Sequence, residues 1–191
     1  MDKAPNSTSL DLAALEELLQ QGAVRTLFQP IYDIAKQHVL GFEALSRGIA
    51  GSNLELPDRL FSLASAHGKL SELELLCREK AIARFVEQDL PGKLFINVSP
   101  NTLLDPSHPK GETLHLVEKY GLAANRVVIE VTEQDKVDDG FLLLKTIEHY
   151  RQLGFKIAID DLGAGYSGLK QWSELRPDFV KVDRYFIDHC D

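Results

Sequence analysis

Six short apolar runs along the chain are predicted to be β-strands. Glycine, proline, asparagine or aspartate bounds most of them, and β-branched and aromatic residues are frequent inside them. They lie at about 27–32, 39–45, 94–99, 127–132, 155–160 and 178–182. The first run contains Pro30, which cannot donate a ladder hydrogen bond, and this indicates an edge strand or a strand end.

Segments with apolar residues three and four positions apart are predicted to be helices. They lie at about 9–22, from 57 onward, at 71–88 and at 141–153. Strands that alternate with helices, with polar residues at successive strand ends, predict a (β/α) barrel. Because an eight-stranded barrel has about 250 residues, we expect this one to be truncated after about six strands.

Composition and charge narrow the classes of function. The 191 residues are 44% hydrophobic, which is sufficient for a substantial core. With 21 basic and 29 acidic residues the net charge is −8, which argues against general binding to nucleic-acid polymers. The negative charge still permits a small phosphate-containing ligand if metal ions screen the acidic residues.

The chain shows no signal for a membrane or for the secretory route. Its apolar runs, such as FLLL at 141–144, are far shorter than the roughly 20 residues of a membrane helix. The N-terminus lacks the apolar run of a signal peptide. Cys77 and Cys190 are too far apart for a CxxC motif and are predicted to be free thiols. We therefore expect a cytoplasmic protein without direct membrane insertion.

Polar residues inside or just after the predicted strands are the candidates for chemistry. They are Glu43, Asn97, Glu130, Asp160, Asp161, Lys181 and Asp183. A charged side chain within an apolar run needs a partner, a proton or a metal. Since the carboxyl ends of parallel strands open onto one crevice, we expect these side chains to gather there.

Such a set of oxygen ligands favours Mg²⁺ or Mn²⁺ over zinc. Several acids and one amide could hold two ions about 3.5–4 Å apart, an arrangement that activates water for in-line attack on phosphorus. Lys181 would add a positive donor near the developing charge.

Each candidate also has a purely structural interpretation. Glu43 could pair with Arg47, and Asn97 could bond a neighbouring backbone group. Asp161 could cap a following helix while Asp160 is solvated. The glycines after this pair, in GAGYSG at 163–168, could form an ordinary turn. The residue pattern leaves these alternatives open.

Six ordered segments carry a resemblance to a known family. They read FQPIYD, GFEALSR, FINVSP, VVIEVTE, IDDLGAGYSGL and DFVKVDR. In this order and spacing they resemble the EAL domain of bacterial cyclic-di-GMP phosphodiesterases, from about Val24 to Ile187. The resemblance implies a TIM-like barrel of the EAL type at 23–191, lacking its C-terminal part, after a lead-in and helix at 1–22.

The resemblance also implies a role for each matching residue. Glu43, Asn97, Glu130 and Asp160 match ligands of a first metal, and Asp160 matches a residue that bridges to a second metal, which Asp161 binds. Asp183 matches a residue near the metals. Lys181 matches the lysine that contacts the hydrolytic water, so Glu43, Asp160 and Lys181 are expected to be catalytic. Glu133 matches an acid that orders the Asp-Asp loop, and Gln29 and Arg47 match residues near the bound dinucleotide.

The reaction implied by the family opens one phosphodiester of cyclic-di-GMP to give linear pGpG. The loop reads DDLGAGYSGL where DDFGTGYSSL is common in the family, which is a mild departure. The chain also ends before the family's later EGVE-like and Gln-Gly segments. We therefore expect a longer protein to be active and this 191-residue chain to be weak or inactive.

Two other functions compete with this interpretation. A degenerate EAL module could bind cyclic-di-GMP without cutting it, or only dimerise and relay a signal. A metabolic barrel enzyme acting on a sugar phosphate would explain the fold but not six matching motifs. The family further implies an EAL homodimer and adjoining sensor or diguanylate-cyclase domains in the parent protein.

Overall fold

Six strands form one mixed sheet in the part of the chain that the structure describes. The computed structural model describes residues 7–99, 102, 111–132, 140–162 and 173–182. The strands are β1 (Arg25–Asp33), β2 (His38–Arg47), β3 (Lys93–Asn97), β4 (Val127–Thr132), β5 (Lys156–Leu162) and β6 (Phe179–Val182). They neighbour one another in chain order, and each overlaps a run that the sequence predicted.

The first two strands differ in direction from the rest. β1 and β2 form an antiparallel pair, whereas each later strand runs parallel to its predecessor. β1 lies at the edge of the sheet, which confirms the inference from Pro30. Because the parallel strands end at the same edge, their last residues come together there.

The described helices are α1 (Ser7–Gln21), α2 (Pro57–Ala66), α3 (Leu70–Glu87), α4 (Glu112–Lys119) and α5 (Gly140–Gln152), with a 3₁₀ turn at Ala124–Arg126. Four of them match the predicted helical segments. Helix α4 was not predicted from the sequence. Its buried residues Thr113, Leu116 and Val117 have helical spacing, but the run is too short to stand out.

The two faces of the sheet bury different apolar sets. On the outer face, Ile96, Ile129 and Ile157 belong to the large core that includes residues of α3, α4 and α5. On the inner face, Phe95, Val128 and Ala158 are buried against Phe179. This division follows the two-residue period of a strand, which sends alternate side chains to opposite faces.

A buried polar network joins the helices behind the sheet. Arg78 of α3 has no solvent exposure, and its Nη1 donates to the Thr113 hydroxyl of α4 at 2.8 Å. That hydroxyl lies 3.4 Å from the Tyr150 hydroxyl of α5. Because these bonds are directional, they fix the mutual positions of three helices as well as stabilising them.

The N-terminal helix packs onto α2 and α3. Leu15 and Leu18 are buried in a cluster that contains Leu60 and Leu73. No helix among the described residues is long and apolar enough to cross a membrane. The cytoplasmic location and the division of the chain at residue 22 stay predictions.

Strand β6 is short and has one partner in the described sheet. Its start is held by Asp178, whose carboxylate contacts Lys156 Nζ at 2.7 Å and accepts the Ile157 N–H at 3.0 Å. Val180 and Val182 are exposed on one face, while the Phe179 ring packs against Phe95 on the other. Lys181 shares the inner face with Phe179.

Gly41 lets β2 and β3 approach closely. It pairs with Lys93, and a Cβ at Gly41 would lie 2.2 Å from the Lys93 carbonyl oxygen. No side chain fits at that distance without a shift of the backbone. The glycine therefore sets the separation of the two strands two residues before Glu43.

We expect Gly41→Ala to lower the free energy of unfolding by about 1–3 kcal/mol, because the added methyl overpacks a rigid backbone contact. Urea unfolding measures the change. Gly140→Ala is the matched control, since a Cβ there meets nothing within 4 Å. Equal effects of the two substitutions would contradict the close-approach argument.

Candidate metal centre

A polar layer follows the apolar inner layer at the carboxyl edge of the sheet. Two residues beyond Phe95, Val128, Ala158 and Phe179 come Asn97, Glu130, Asp160 and Lys181, respectively. A step of two along a strand keeps the same face, so these polar side chains continue the inner face. The chain folds this way because each strand presents an apolar residue and then a polar one at this edge.

Three carboxylates of this layer converge. One oxygen each from Glu43, Glu130 and Asp160 lies within 4.8 Å of the others. Lys181 Nζ contacts all three, at 2.7 Å from Glu43 Oε2, 3.0 Å from Glu130 Oε1 and 3.1 Å from Asp160 Oδ2. The Asn97 amide donates to Glu43 Oε1 at 3.1 Å. The arrangement is thus an acid cluster with one internal cation.

Glu130 is the most deeply placed member of the cluster. It has 0% exposure, and neither carboxylate oxygen has a hydrogen-bond partner among the described residues. Lys181 is close enough to Oε1 for an ion pair but not aligned for a hydrogen bond. Burial raises the pKa of Glu130 to about 8, against the opposing effect of Lys181. Glu130 therefore needs a further cation or a proton.

Lys181 is held in its charged form. Burial by itself would lower its pKa, but the carboxylates of Glu130, Glu43 and Asp160 outweigh that effect. The pKa of Lys181 consequently lies above its usual range. The site combines an ammonium with carboxylates that it neutralises only in part.

The structure brings together five of the residues predicted for the site: Glu43, Asn97, Glu130, Asp160 and Lys181. The alternative pairing of Glu43 with Arg47 is not observed, since Arg47 Nη1 donates to the Ser46 carbonyl. Asn97 contacts the Glu43 side chain instead of a neighbouring backbone group.

The remaining predicted residues are placed less completely. Asp161 lies in β5 beside Asp160, where the register with β6 shifts between Ile159 and Leu162, and its side chain is outside the described set. Glu133, Asp183 and the glycine-containing loop at 163–168 also lie outside the described residues. Their predicted roles stay predictions.

The two residues predicted to bind the dinucleotide lie near the cluster. Gln29 stands directly opposite Glu43 in the antiparallel pair of β1 and β2, and residues in such positions share a face. Arg47, at the end of β2, lines a cavity of about 390 Å³ that Asn97 also lines. This volume is within the range of small-molecule sites.

The cavity is also lined by residues that the sequence did not assign to the site. Asp58, Phe61, Glu74, Cys77 and Ser99 are among those that line it. Glu74 could have been found, because it is an acid inside the apolar stretch LELLC at 73–77. That is the signal that identified Glu43, but an acid on a helix ordinarily lies on the solvated face, so the pattern gave no reason to select Glu74.

Glu74 is a second buried acid beside the cluster. It is 5% exposed, and its Oε1 accepts the Ser99 N–H at 3.3 Å. Oε2 has no hydrogen-bond partner among the described residues. Burial raises its pKa above the usual 4.5, against opposing effects that include Ser99 and Arg78. Glu74 thus links α3 to the segment that follows Asn97.

The donor set fits a hard divalent cation. Glu43, Glu130 and Asp160 offer carboxylate oxygens, and Asn97 adds an amide oxygen. Mg²⁺, Mn²⁺ and Ca²⁺ prefer such ligands. The unpartnered oxygen of Glu130 is a specific sign of fit, because a buried carboxylate oxygen without a partner is costly.

Comparisons with known proteins agree with this geometry. The EAL domain family matches residues 12–191. The cyclic di-GMP phosphodiesterase NbdA of Pseudomonas aeruginosa is 32% identical over 182 residues, which cover 91% of this chain and 23% of NbdA. The chain therefore belongs to the EAL domain family.

Two solved structures share the fold at recognisable sequence identity. A standalone versatile EAL protein from Vibrio cholerae O395, in its c-di-GMP bound form, has 33% identity and a TM-score of 0.76, covering 88% of this chain and 70% of that one. The manganese/cy-diGMP complex of Klebsiella pneumoniae BlrP1 has 30% identity and a TM-score of 0.75, covering 87% of this chain and 42% of that one. The predicted TIM-like barrel of the EAL type is confirmed.

We expect Mn²⁺ to raise the melting temperature by about 5–10 °C at a hundredfold excess over its Kd. In Glu130→Gln this shift should be lost, because the neutral amide replaces a buried carboxylate that is proposed to bind the ion. Differential scanning fluorimetry with and without chelator measures both. Glu118→Gln on the exposed side of α4 is the control, and a full shift in Glu130→Gln would contradict the assignment.

The raised pKa of Glu74 predicts a pH-dependent stability. Below 4.5, its usual value, both states hold the proton; above it the unfolded state ionises first, so this group's contribution to stability falls as pH rises. The free energy of unfolding of Glu74→Gln relative to wild type should therefore increase as the pH rises above 4.5. Urea unfolding tests this, with Glu72→Gln on the exposed side of α3 as control, and a constant difference would contradict it.

Proposed function

We propose that the chain is the catalytic domain, or most of it, of a metal-dependent phosphodiesterase that hydrolyses cyclic-di-GMP to linear pGpG. The observation that carries the proposal is the convergence of Glu43, Glu130 and Asp160 around Lys181 at the carboxyl edge of the sheet. Membership of the EAL family and the c-di-GMP bound in a similar EAL protein support the substrate.

The proposed ligands of a two-metal centre are Glu43, Asn97, Glu130, Asp160, Asp161 and Asp183. Mg²⁺ and Mn²⁺ are the proposed cofactors, and the manganese in the BlrP1 complex supports the second. When bound, such ions lower the pKa of a water and polarise the phosphodiester. The protein's contribution is a rigid set of oxygens on four neighbouring strands.

Three residues are proposed to carry the reaction. Glu43 and Asp160 each contact Lys181, so their carboxylates and the ammonium hold one another in place. Lys181 donates to the attacking water or to a phosphoryl oxygen as negative charge develops there. Because the group remains charged at neutral pH, it acts through hydrogen bonding and charge, and no proton transfer from it is needed.

Substrate binding is assigned to the cavity that Arg47 and Asn97 line. Arg47 carries a fixed positive charge there and is proposed to contact the dinucleotide, an anion that a chain of net charge −8 would otherwise repel. Gln29, opposite Glu43, is proposed to lie near the same ligand. Both positions would serve binding more than the chemical step.

The parent protein is proposed to add regulation to this domain. The chain spans about a quarter of the length of NbdA. We propose that the EAL domain forms a homodimer, and that the parent protein has sensor or diguanylate-cyclase domains in segments beyond this chain. Glu133 is proposed to order the loop after Asp161 and so to couple those segments to the site.

The first test is nucleotide turnover with Mg²⁺ or Mn²⁺, by this chain and by a version extended by about 60 residues. We expect linear pGpG from the extended protein and weak or no turnover by the chain alone. Glu43→Gln should reduce turnover on the order of a hundredfold or more. Glu43 is both a proposed metal ligand and the ion-pair partner of Lys181, and the substitution removes its charge.

Glu118→Gln, on the exposed side of α4, should leave turnover unchanged and controls for the loss of one acid. If the extended protein binds cyclic-di-GMP tightly with metal present but forms no pGpG, it is a receptor and the catalytic proposal is wrong. Hydrolysis of simple phosphate monoesters in preference to cyclic-di-GMP would instead indicate a metabolic enzyme.

A further inference from the structure

Lys181 contacts the same three carboxylates that are proposed to bind metal. Its Nζ is 2.7–3.1 Å from one oxygen each of Glu43, Glu130 and Asp160, and these three residues form the candidate metal group. The ammonium therefore lies among the carboxylates that are proposed to bind the metal. It contacts all three of these carboxylates.

The ammonium compensates charges that water screens poorly. Glu130 has no solvent exposure, and the Glu43 and Asp160 side chains are 14% and 16% exposed. Poorly screened carboxylates at this distance repel one another strongly. Within the described residues, Lys181 is the cation that contacts all three, so the cluster without metal depends on it.

A divalent cation and this ammonium compete for the same three carboxylates. Mg²⁺ binds oxygens at about 2.0–2.1 Å, well inside the oxygen–Nζ distances at this site. An ion bound by these carboxylates would therefore lie close to the ammonium, and the two positive charges repel. Either the metal affinity is low or Lys181 moves away.

Lys181 has room to move. Its side chain is 29% exposed, it stands on the four-residue strand β6 at the edge of the described sheet, and a lysine stem has several rotatable bonds. Rotation outward removes the ammonium from the buried Glu130 without a change in the backbone. The ammonium would then face the open side of the site.

We propose that Lys181 is an internal competitor of the metal: its ammonium neutralises the acid cluster and is displaced when a divalent cation binds to Glu43, Glu130 and Asp160. The displaced ammonium becomes available to an anionic phosphodiester. The inference rests on the metal site proposed above, but its test reads metal binding and stability, so it can fail even if the phosphodiesterase proposal holds.

The test compares Mn²⁺ affinity by isothermal titration calorimetry in wild type, Lys181→Met and Lys119→Met. Lys119 is the matched control, because its Nζ pairs with Glu79 at 2.7 Å on the surface, away from the cluster. Lys181→Met should bind Mn²⁺ about tenfold more tightly or better, since the competing charge is gone. Lys119→Met should bind as wild type does. Equal or weaker binding by Lys181→Met would overturn the proposal.

Stability in chelator supplies a second readout. Without metal, Lys181→Met should melt roughly 5 °C or more below wild type, because three carboxylates lose their cation. Saturating Mn²⁺ should remove most of that difference. An unchanged melting temperature in chelator would show that the cluster does not depend on Lys181.

Labelling of the wild-type protein keeps the proposal testable if Lys181→Met does not fold. Amine acetylation of Lys181, measured by mass spectrometry, should increase severalfold when Mn²⁺ is added, while labelling of Lys119 stays constant. If the metal enters without moving the lysine, labelling of Lys181 will stay the same or decrease, and the displacement proposal is then wrong.

Discussion

A carboxylate without solvent contact in the middle of β4 sets the requirements for the whole site. Glu130 has neither water nor a hydrogen-bond donor among the described residues to stabilise its charge, and isolated buried charges are strongly unfavourable. Its neighbours must therefore be cationic or able to bind a cation. Lys181 meets part of this requirement, and the oxygens of Glu43 and Asp160 favour a divalent ion for the rest.

The same strand register builds both the core and the site. The inner layer of Phe95, Val128, Ala158 and Phe179 and the polar layer above it are two residues apart on every strand. The apolar layer thus supports the acids from below and restricts their rotamers. Sites on packed strands hold their geometry more accurately than sites on loops, which suits a cluster whose members repel one another.

Local pattern was sufficient for most elements and for the sheet edge where the site residues meet, but not for the individual contacts between them. Glu43 and Glu130 stood out because an acid inside an apolar strand is expensive, and Pro30 indicated the edge of the sheet. Glu74 carried the same signal on a helix, where an acid is ordinarily solvated. The contact of Lys181 with Glu43 joins positions 138 residues apart, and it depends on how β2 and β6 are placed in the folded sheet, which no local period encodes.

The bulge in β5 and the antiparallel direction of β1 are also decided by long-range packing. The register shift between Ile159 and Leu162 occurs at the two aspartates, whose sequence alone favoured an ordinary strand end. Helix α4 was missed because eight residues give barely two turns of periodicity, too few to distinguish from a loop.

The geometry of the site depends on the register in which β6 pairs with β5. Strand β6 has four residues of alternating character, so a slip by one position would turn Lys181 outward and present a valine to three carboxylates. The clamp of Asp178 on Lys156 and Ile157, at the opposite end of the strand from the acids, prevents that slip. A substitution of Asp178 would therefore leave the three carboxylates without the ammonium of Lys181, although Asp178 itself does not touch them.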